Sequence, residues 1–317
     1  MKYQPLVSII IPVYNGSNFV KEAIDSALSQ TYENKEIIVV NDGSCDEGAT
    51  EKIALSYGDK IRYIYKENGG VSSALNVGIK NMNGEYFSWL SHDDAYLPRK
   101  IELQIESLEK HNAKNCLILC DVQVINSESK VIKKAESNDK LKDGINEWHE
   151  ALNYMLMYGS YNGCSLLIPK EAFEKSGGFD ESLRYCQDAF MWAKMFLNKF
   201  DLLYVKETGV SNRVHNGQLT QRGRALFHKD SEAISLYLAP KIAEQNEYAK
   251  KLMYSYAYHN AVLGNKAVVK KCKKEAKERG LLTVMQRFRI MLAGWYGGIR
   301  PFIRRIYYRL FRRVKTK

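Results

Sequence analysis

The first 125 residues alternate between continuous apolar runs and segments whose apolar positions recur every three or four residues. Runs rich in Ile and Val are typical of strands that are covered on both faces, and helical segments between them predict βαβ crossovers. We predict strands over 6–13, 35–42, 61–67, 85–90 and 116–125. Helices are predicted over about 18–30 and 98–111, in the segment between the second strand's turn and residue 57, and after the glycine turn in 68–82. This pattern predicts an α/β domain with a mainly parallel sheet.

The second half of the chain changes character. The polar stretch 126–144 predicts a surface loop or a lid. Beyond it, residues 163–169 predict a strand and residues 187–196 predict a helix, and the pattern is helical throughout from about 224 to 279. We therefore divide the chain into an α/β domain, a helical extension and a basic amphipathic tail, over 1–222, 223–280 and 281–317.

The net charge of +11 is located in the tail. Ten of the 47 Lys and Arg residues, and none of the 36 Asp and Glu residues, follow Gly280, which leaves 37 basic against 36 acidic groups before it. A nearly neutral body offers no basic surface for nucleic acid, so we expect no nucleic-acid partner. After Pro301, apolar residues share one predicted helix face, and arginines lie largely opposite: Ile303, Ile306, Tyr307, Leu310 and Val314 against Arg305, Arg309 and Arg312.

Such a helix is typical of a segment that lies on an anionic membrane surface, with a packed tail or an oligomer contact as alternatives. The six cysteines show no metal-ligand spacing, and the opening residues lack a signal-peptide pattern. No apolar stretch approaches the roughly 20 residues that cross a bilayer. We predict a cytoplasmic protein that is peripheral on the inner face of the plasma membrane.

Polar residues follow four predicted strands, as "PVYN", "NDGS", "ENGG" and "SHDD". Each cluster alone is explained by a turn, with Gly43 as a turn glycine and Asp42 in an Asx turn. Ligands of an open parallel sheet bind beyond the carboxyl ends of its strands. Four such clusters together predict a ligand site at that edge.

Four segments in order, "VSIIIPVYNGSNF", "NGGVSSALNVGI", "WLSHDDAYLP" and "GGFDESLRYCQDAFMWAKM", resemble the family 2 glycosyltransferases. These are inverting sugar transferases with the GT-A fold, a Rossmann-like, mainly parallel sheet flanked by helices. The resemblance covers about residues 5 to 220. It implies a GT-A domain, here followed by a C-terminal helical extension.

The resemblance implies that the nucleoside of a sugar nucleotide lies over the first strand ends. Tyr14 would pack on the base, and Asp42 would accept a hydrogen bond from its imide N–H, which favours uridine. Pro12, Val13 and Asn15 would shape the same wall. Asn68 and Gly69 would border the nucleotide, because glycine allows close backbone approach.

The family places a divalent cation on an Asp-x-Asp motif, where it neutralises the diphosphate of the donor. Here Ser91 replaces the first Asp, and Asp93 occupies the position of the direct ligand. Mn²⁺ and Mg²⁺ both accept oxygen ligands, so the sequence does not separate them. Asp94 would ligate the ion, hydrogen-bond the sugar or cap the next helix. These three roles stay open.

The segment "NRVHNG" resembles the family's Arg-x-His segment. It implies that His215 completes the metal site and that Arg213 or Arg222 meets a phosphate. The family's general base lies in a Glu-Asp pair that opens a helix, and here the pair reads Gln187-Asp188. Asp188 is therefore the candidate base, with a purely capping role as the alternative. We expect the helix N-terminus to lower its pKa.

These features predict a metal-dependent, inverting hexosyltransferase-like enzyme. It would move a single sugar from a UDP-sugar to a hydroxyl of a membrane- or lipid-linked oligosaccharide, as in bacterial surface polysaccharide or glycan biosynthesis. We expect a non-processive enzyme, because a transmembrane bundle and the QxxRW motif of the processive branch are missing from the sequence. The alternative is a catalytically inactive nucleotide-sugar-binding module, favoured by Ser91 and Gln187.

Overall fold

The apolar runs of the first 125 residues form strands of one ten-stranded sheet. The structure is a computed structural model. It describes residues 3–134, 140–215 and 224–311, and it describes their side chains except at 224–228 and 298–311. The strands are β1 (Val7–Val13), β2 (Lys35–Asp42), β3 (Arg62–Lys66), β4 (Tyr86–Trp89), β5 (Ala95–Tyr96), β6 (Cys116–Ile125), β7 (Val131–Lys133), β8 (Gly144–Asn146), β9 (Leu166–Pro169) and β10 (Asp201–Arg213).

The strand order is β3-β2-β1-β4-β9-β6-β10-β5, with β7 beside β6 and β8 beside β10. Strands β3, β2, β1 and β4 pair in parallel, and so do β6 and β10. Strand β9 is antiparallel to both neighbours, and the other antiparallel pairings involve two or three residues each. The predicted α/β class with a mainly parallel sheet is confirmed.

The helices are α1 (Val20–Leu28), α2 (Ala49–Leu55), α3 (Val71–Asn81), α4 (Lys100–Lys110), α5 (Trp148–Tyr158), α6 (Lys170–Ser176), α7 (Gln187–Leu197), α8 (Arg224–Ala243), α9 (Ala249–Val262), α10 (Lys266–Glu278) and α11 (Val284–Phe311). All seven residues of β1 are buried, which explains its continuous apolar run. Gly78 lets α3 approach this strand, since a Cβ there would lie 2.4 Å from Ile10 Cγ2.

Several elements were not predicted. Strand β10 contains Lys206 and Glu207, and its register against β6 shifts on both sides of Thr208. The irregularity splits the apolar pattern, so the sequence shows no single strand there. Strand β7 lies within the stretch 126–144 that was predicted as a loop or lid, and β8 begins at its last residue, Gly144, so that prediction is wrong for these residues. Residues 135–139 of the stretch lie outside the described part of the chain. Helix α5 was also missed.

The chain forms two compact units. The first comprises residues 1–151 and 160–226, and the second comprises 152–159 and 227–317. The second unit contains the end of α5 together with α9, α10, α11 and most of α8, so the helical pattern predicted from about 224 to 279 is confirmed. Within the described part of the chain, no helix combines the length and the apolar character that a membrane span requires.

Candidate active site

The turn after β4 carries Asp94, whose carboxylate is buried and hydrogen-bonded on both oxygens. Asp94 Oδ1 accepts from the Asn212 side-chain amide and from the Arg213 backbone N–H, both at 2.8 Å. The Cys164 thiol donates to Oδ2 at 3.3 Å. Burial and the charge of Asp93 raise the pKa of Asp94 to about 7, although these donors oppose the rise. Asp94 therefore ties the turn to β10.

This position decides one of the roles left open for Asp94. The helix-cap role is wrong, because α4 begins at Lys100 and Arg99 is its N-cap residue. Contact with the sugar or the ion stays a prediction, and an exposure of 3% leaves Asp94 little surface for it. Ser91, at the position of the missing first Asp, donates its backbone N–H to Cys164 Sγ at 3.3 Å. Ser91 thus packs against a buried thiol.

Arg213 is fully buried at the end of β10 and braces the same turn. Its Nε donates to the Asp93 backbone carbonyl at 2.7 Å, Nη1 donates to the Asn126 carbonyl at 3.0 Å, and Nη2 pairs with Glu22 Oε2 at 2.6 Å. The guanidinium also lies 4.5 Å from the centroid of the Phe19 ring. The predicted phosphate contact conflicts with this burial. Arg213 instead positions Asp93, and Arg222 lies outside the described residues.

Asp93 and His215, the two predicted metal ligands, meet although 122 residues separate them. His215 Nε2 lies 3.1 Å from Asp93 Oδ2, and each side chain keeps less than a fifth of its surface exposed. The imidazole also packs on the Phe19 ring, with centroids 5.0 Å apart. A carboxylate oxygen and an imidazole nitrogen therefore face each other beside the end of β4.

This donor set fits a divalent cation that is shared with a substrate. The described residues contain no group of three His, Cys, Asp or Glu side chains that would hold an ion alone. Mg²⁺ is usually bound by one or two carboxylates plus substrate phosphates and water, and imidazole nitrogen suits transition metals. Asp93 and His215 would hold such an ion, with the diphosphate supplying further oxygens. The ion would stabilise negative charge on the departing diphosphate.

The carboxylate of Asp42, at the end of β2, holds the "NGG" turn. Its oxygens accept from Lys66 Nζ at 2.7 Å, from the Gly69 N–H at 3.0 Å, from the Gly70 N–H at 2.7 Å and from the Asn68 side-chain amide at 3.2 Å. Asp42 is 3% exposed. The predicted bond to a base would have to displace or share one of these donors. Asp42 therefore holds this turn from below, and Asn68 and Gly69 are exposed above it.

The ring of Tyr14 is exposed to solvent beside this turn. Its ring is 44% exposed, and its hydroxyl lies 3.4 Å from Cys45 Sγ. The Asn15 side chain accepts from the Cys45 backbone N–H at 2.8 Å, which joins the loops after β1 and β2. Pro12 and Val13 are buried inside β1, so they support the wall rather than face solvent. An exposed aromatic ring at a strand end is suited to stacking on a base.

Cys45 provides a chemical test of this location, because it is the one exposed thiol among the six cysteines. Hydrogen bonds from Tyr14 and Asn15 lower the pKa of Cys45, which favours the reactive thiolate. We expect iodoacetamide to modify Cys45 first and UDP with Mn²⁺ to slow that modification at least about threefold, measured by mass spectrometry of the tryptic peptide. Cys45→Ser is the control, and labelling at an unchanged rate with saturating UDP would move the nucleotide away from these loops.

Asp188 lies in the first turn of α7, as predicted, and is partly buried. Burial raises its pKa to about 6, although the backbone N–H of Ala189, 2.7 Å from Oδ1, and its own N–H oppose the rise. The prediction of a lowered pKa is therefore wrong: desolvation outweighs the helix N-terminus. A carboxylate with this pKa is ionised at neutral pH and suited to general base catalysis.

A chain of aromatic rings fixes α7 relative to β4. Phe179 contacts Trp89 of β4 edge-on at 6.1 Å and Trp192 of α7 at 5.8 Å, measured between ring centroids.

Gln187, beside Asp188, is 9% exposed, and its Oε1 has no hydrogen-bond partner in the described structure. An acceptor oxygen thus lies next to the candidate base. Bonding of Gln187 to a sugar hydroxyl stays a prediction.

The sequence analysis did not select four residues that contribute to this arrangement. Lys66 ends β3 at the same sheet edge, so the strand-end rule that selected Asp42 would have found it. Cys164 reads as an ordinary apolar core residue. Glu22 and Phe19 lie at the start of α1, and their contacts with residues some 190 positions away have no sequence signal.

The arrangement of sheet and helices is that of the GT-A fold. A crystal structure of S. aureus TarS residues 1–349 in complex with UDP-GlcNAc superposes with a TM-score of 0.65 at 17% identity, over 91% of this chain and 79% of that chain. At this identity the likeness shows the fold alone. It confirms the GT-A fold expected from the sequence motifs.

The family profile described as Glycosyl transferase family 2 matches residues 8–175. An uncharacterized glycosyltransferase of Rickettsia typhi is 52% identical over 218 residues, 69% of this chain and 67% of that protein. The uncharacterized glycosyltransferase EpsJ of Bacillus subtilis is 33% identical over 202 residues, 58% of this chain and 54% of that protein. Matches to three further Rickettsia relatives cover only 32% to 35% of their lengths. The chain belongs to glycosyl transferase family 2 and is a transferase.

Proposed function

We propose that the protein is an inverting, metal-dependent glycosyltransferase. It transfers one sugar from a UDP-sugar to a hydroxyl of a saccharide that is carried on a membrane lipid. The observation that carries this proposal is the meeting of Asp93 and His215 at 3.1 Å beside the end of β4. Two residues so distant in sequence, with the donor atoms that a diphosphate-bound cation requires, support a sugar-nucleotide site.

The donor would lie along the strand ends. The exposed ring of Tyr14 would stack on the base, and the turn of Asn68 and Gly69 would border the ribose and the diphosphate. The complex of the related fold of TarS with UDP-GlcNAc supports a UDP-sugar as donor. Which sugar is transferred depends on contacts around the donor ring.

Asp188 would act as the general base. Its carboxylate accepts the proton of the acceptor hydroxyl while that oxygen forms a bond to the anomeric carbon. The bond between the anomeric carbon and the β-phosphate oxygen breaks on the opposite face, so UDP leaves and the configuration inverts. A pKa of about 6 leaves the carboxylate ionised at neutral pH, and it is a stronger base than an ordinary aspartate.

The basic, apolar C-terminal region supports an acceptor that is anchored in a membrane. In the described part of α11, exposed apolar residues recur on one helix face: Val284, Met285, Phe288, Met291 and Trp295. No Asp or Glu follows Gly280. We propose peripheral attachment to the inner face of the plasma membrane and a non-processive role in surface polysaccharide or glycan biosynthesis. The predicted apolar face after Pro301 lies outside the described side chains.

The proposal is tested by UDP release. Purified protein is offered a panel of UDP-sugars with a lipid-linked saccharide acceptor, with Mn²⁺, with Mg²⁺ and with chelator. We expect one donor to give UDP release that depends on acceptor and metal. Binding of UDP-sugars without release under all conditions would instead identify an inactive sugar-nucleotide-binding module.

A further inference from the structure

The second unit contains a groove between α9 and α11, closed at one side by the end of α5. Its volume is about 760 Å³, within the range of roughly 300–1,000 Å³ that holds small-molecule ligands. Its walls include Tyr158, Tyr254, Tyr258, Tyr296, Arg289 and Leu292, and no Asp or Glu is among its lining residues. The groove is therefore aromatic and carries positive charge.

The walls of the groove are held together by close helix packing. A Cβ at Gly297 would lie 2.4 Å from the Ala261 carbonyl oxygen, so α11 and α9 approach each other at backbone distance. On α9, the rings of Tyr254 and Tyr258 lie 5.7 Å apart between centroids. The groove is thus built by packed helices rather than by a loop.

Arg289 supplies a charge that no carboxylate of the described residues neutralises. Its side chain is exposed on α11 at the groove wall, and the described residues provide no carboxylate within ion-pair distance of it. The whole segment after Gly280 adds nine further Lys or Arg residues and no acid. An anionic ligand would complement this wall.

The groove is continuous with an exposed apolar surface. Leu292 and Tyr296 line it and are 47% and 51% exposed. They neighbour Phe288, Met291 and Trp295, which are spaced three and four residues apart and are 49% to 70% exposed. Such a surface, with aromatic residues and adjacent arginines, fits the headgroup region of a bilayer. A groove at its border would open where lipid phosphates lie.

We propose that this groove binds a membrane lipid with a phosphate headgroup. Arg289 contacts the phosphate, and the first part of the lipid chain lies against the tyrosines and Leu292. The inference rests on the membrane attachment proposed above and adds a defined lipid site to it. A saccharide is the other ligand class that aromatic grooves take. The exposed apolar surface and an arginine with no carboxylate partner among the described residues favour the lipid.

Two pairs of matched variants test this site in the full-length protein. Arg289→Gln changes a groove residue, and Arg287→Gln makes the same change on an exposed arginine of α11 outside the lining. Leu292→Glu and Met291→Glu form the second pair, both at exposed apolar positions. Binding of monomeric short-chain phosphatidylglycerol is measured by calorimetry, with inorganic phosphate and maltotriose as the other probes.

We expect Arg289→Gln and Leu292→Glu to weaken binding of the short-chain lipid on the order of tenfold, and their partners to change it by about twofold or less. Equal losses within both pairs would overturn the site in favour of general surface charge. Inorganic phosphate binding as tightly as the lipid, or maltotriose binding in place of it, would overturn the lipid assignment. The lipid-binding experiment contains no sugar nucleotide. A negative result in it therefore does not contradict the proposed sugar transfer, and an absence of UDP release does not contradict the lipid site.

Discussion

Replacement of Asp188 by Asn is expected to lower kcat by about 10²- to 10⁴-fold while UDP keeps its affinity. Asn preserves the shape of the side chain and the hydrogen bond from the Ala189 N–H, but it cannot take a proton from an acceptor hydroxyl. The measurement is UDP release at saturating donor and acceptor, with calorimetric titration of UDP on the same preparation. Asp180→Asn, in the preceding loop, is the matched control and should keep normal turnover.

The same carboxylate should set the acid limb of the pH profile. Because the pKa of Asp188 is about 6, kcat/KM is expected to fall as the pH drops through that value and the base becomes protonated. Residual turnover of Asp188→Asn should lack this limb. A variant that retains more than about a tenth of wild-type kcat, or that keeps the limb, would place the base on another residue.

Stability gives an independent readout of the raised pKa. Burial raises the pKa of Asp188 from 3.8 to about 6, so the folded state favours the protonated carboxyl. The free energy of unfolding that this preference contributes is fully present below about pH 4 and is lost as the pH rises through about 6. Asp188→Asn removes this loss. We expect a gain in the free energy of unfolding of up to about 3 kcal/mol at pH 7.5 and almost none near pH 4, measured by urea denaturation. If Asp188 is a catalytic residue that destabilises the fold, its replacement by Asn lowers activity and raises stability at the same pH.

The motifs located the site at the sheet edge, but they did not give the direction of each side chain. Asp93 and His215 were paired by family resemblance, and the structure brings them together. Arg213 was expected at a phosphate and is instead buried, at the end of a strand that pairs with β6 along most of its length, up to Arg213 itself. Which face of an unpredicted strand points inward depends on partners far away in the sequence. No local pattern contains that information.

The pKa of Asp188 shows the same limit in energetic terms. Its place in the first turn of α7 was predictable, and with it the favourable backbone N–H groups. The desolvation that outweighs them arises from the burial of Asp188 in the folded chain. The local sequence indicates that the helix N-terminus lowers the pKa of Asp188, whereas burial in the tertiary structure decides the net shift.

Replacement of Asp93 by Asn is expected to remove the effect of Mn²⁺ on UDP binding and to lower kcat/KM by about 10³-fold. Asp93 is held at two points, since Arg213 Nε donates to its backbone carbonyl and His215 Nε2 lies 3.1 Å from its Oδ2. Asn keeps the fold of the turn but is a far weaker cation ligand. Calorimetric titration of UDP with and without Mn²⁺ measures the change, and UDP affinity in chelator should match the wild type.

A double variant decides whether both residues hold one ion. His215→Ala alone should weaken the Mn²⁺ effect less than Asp93→Asn, because the carboxylate carries the charge. If they ligate the same ion, adding His215→Ala to Asp93→Asn should cost little more, since coupled residues are not additive. Glu33→Gln removes an equal charge from an exposed position before β2, at the opposite end of that strand, and should leave the Mn²⁺ effect unchanged. Fully additive losses, or a Mn²⁺ effect that survives in Asp93→Asn, would mean that the cation is held elsewhere.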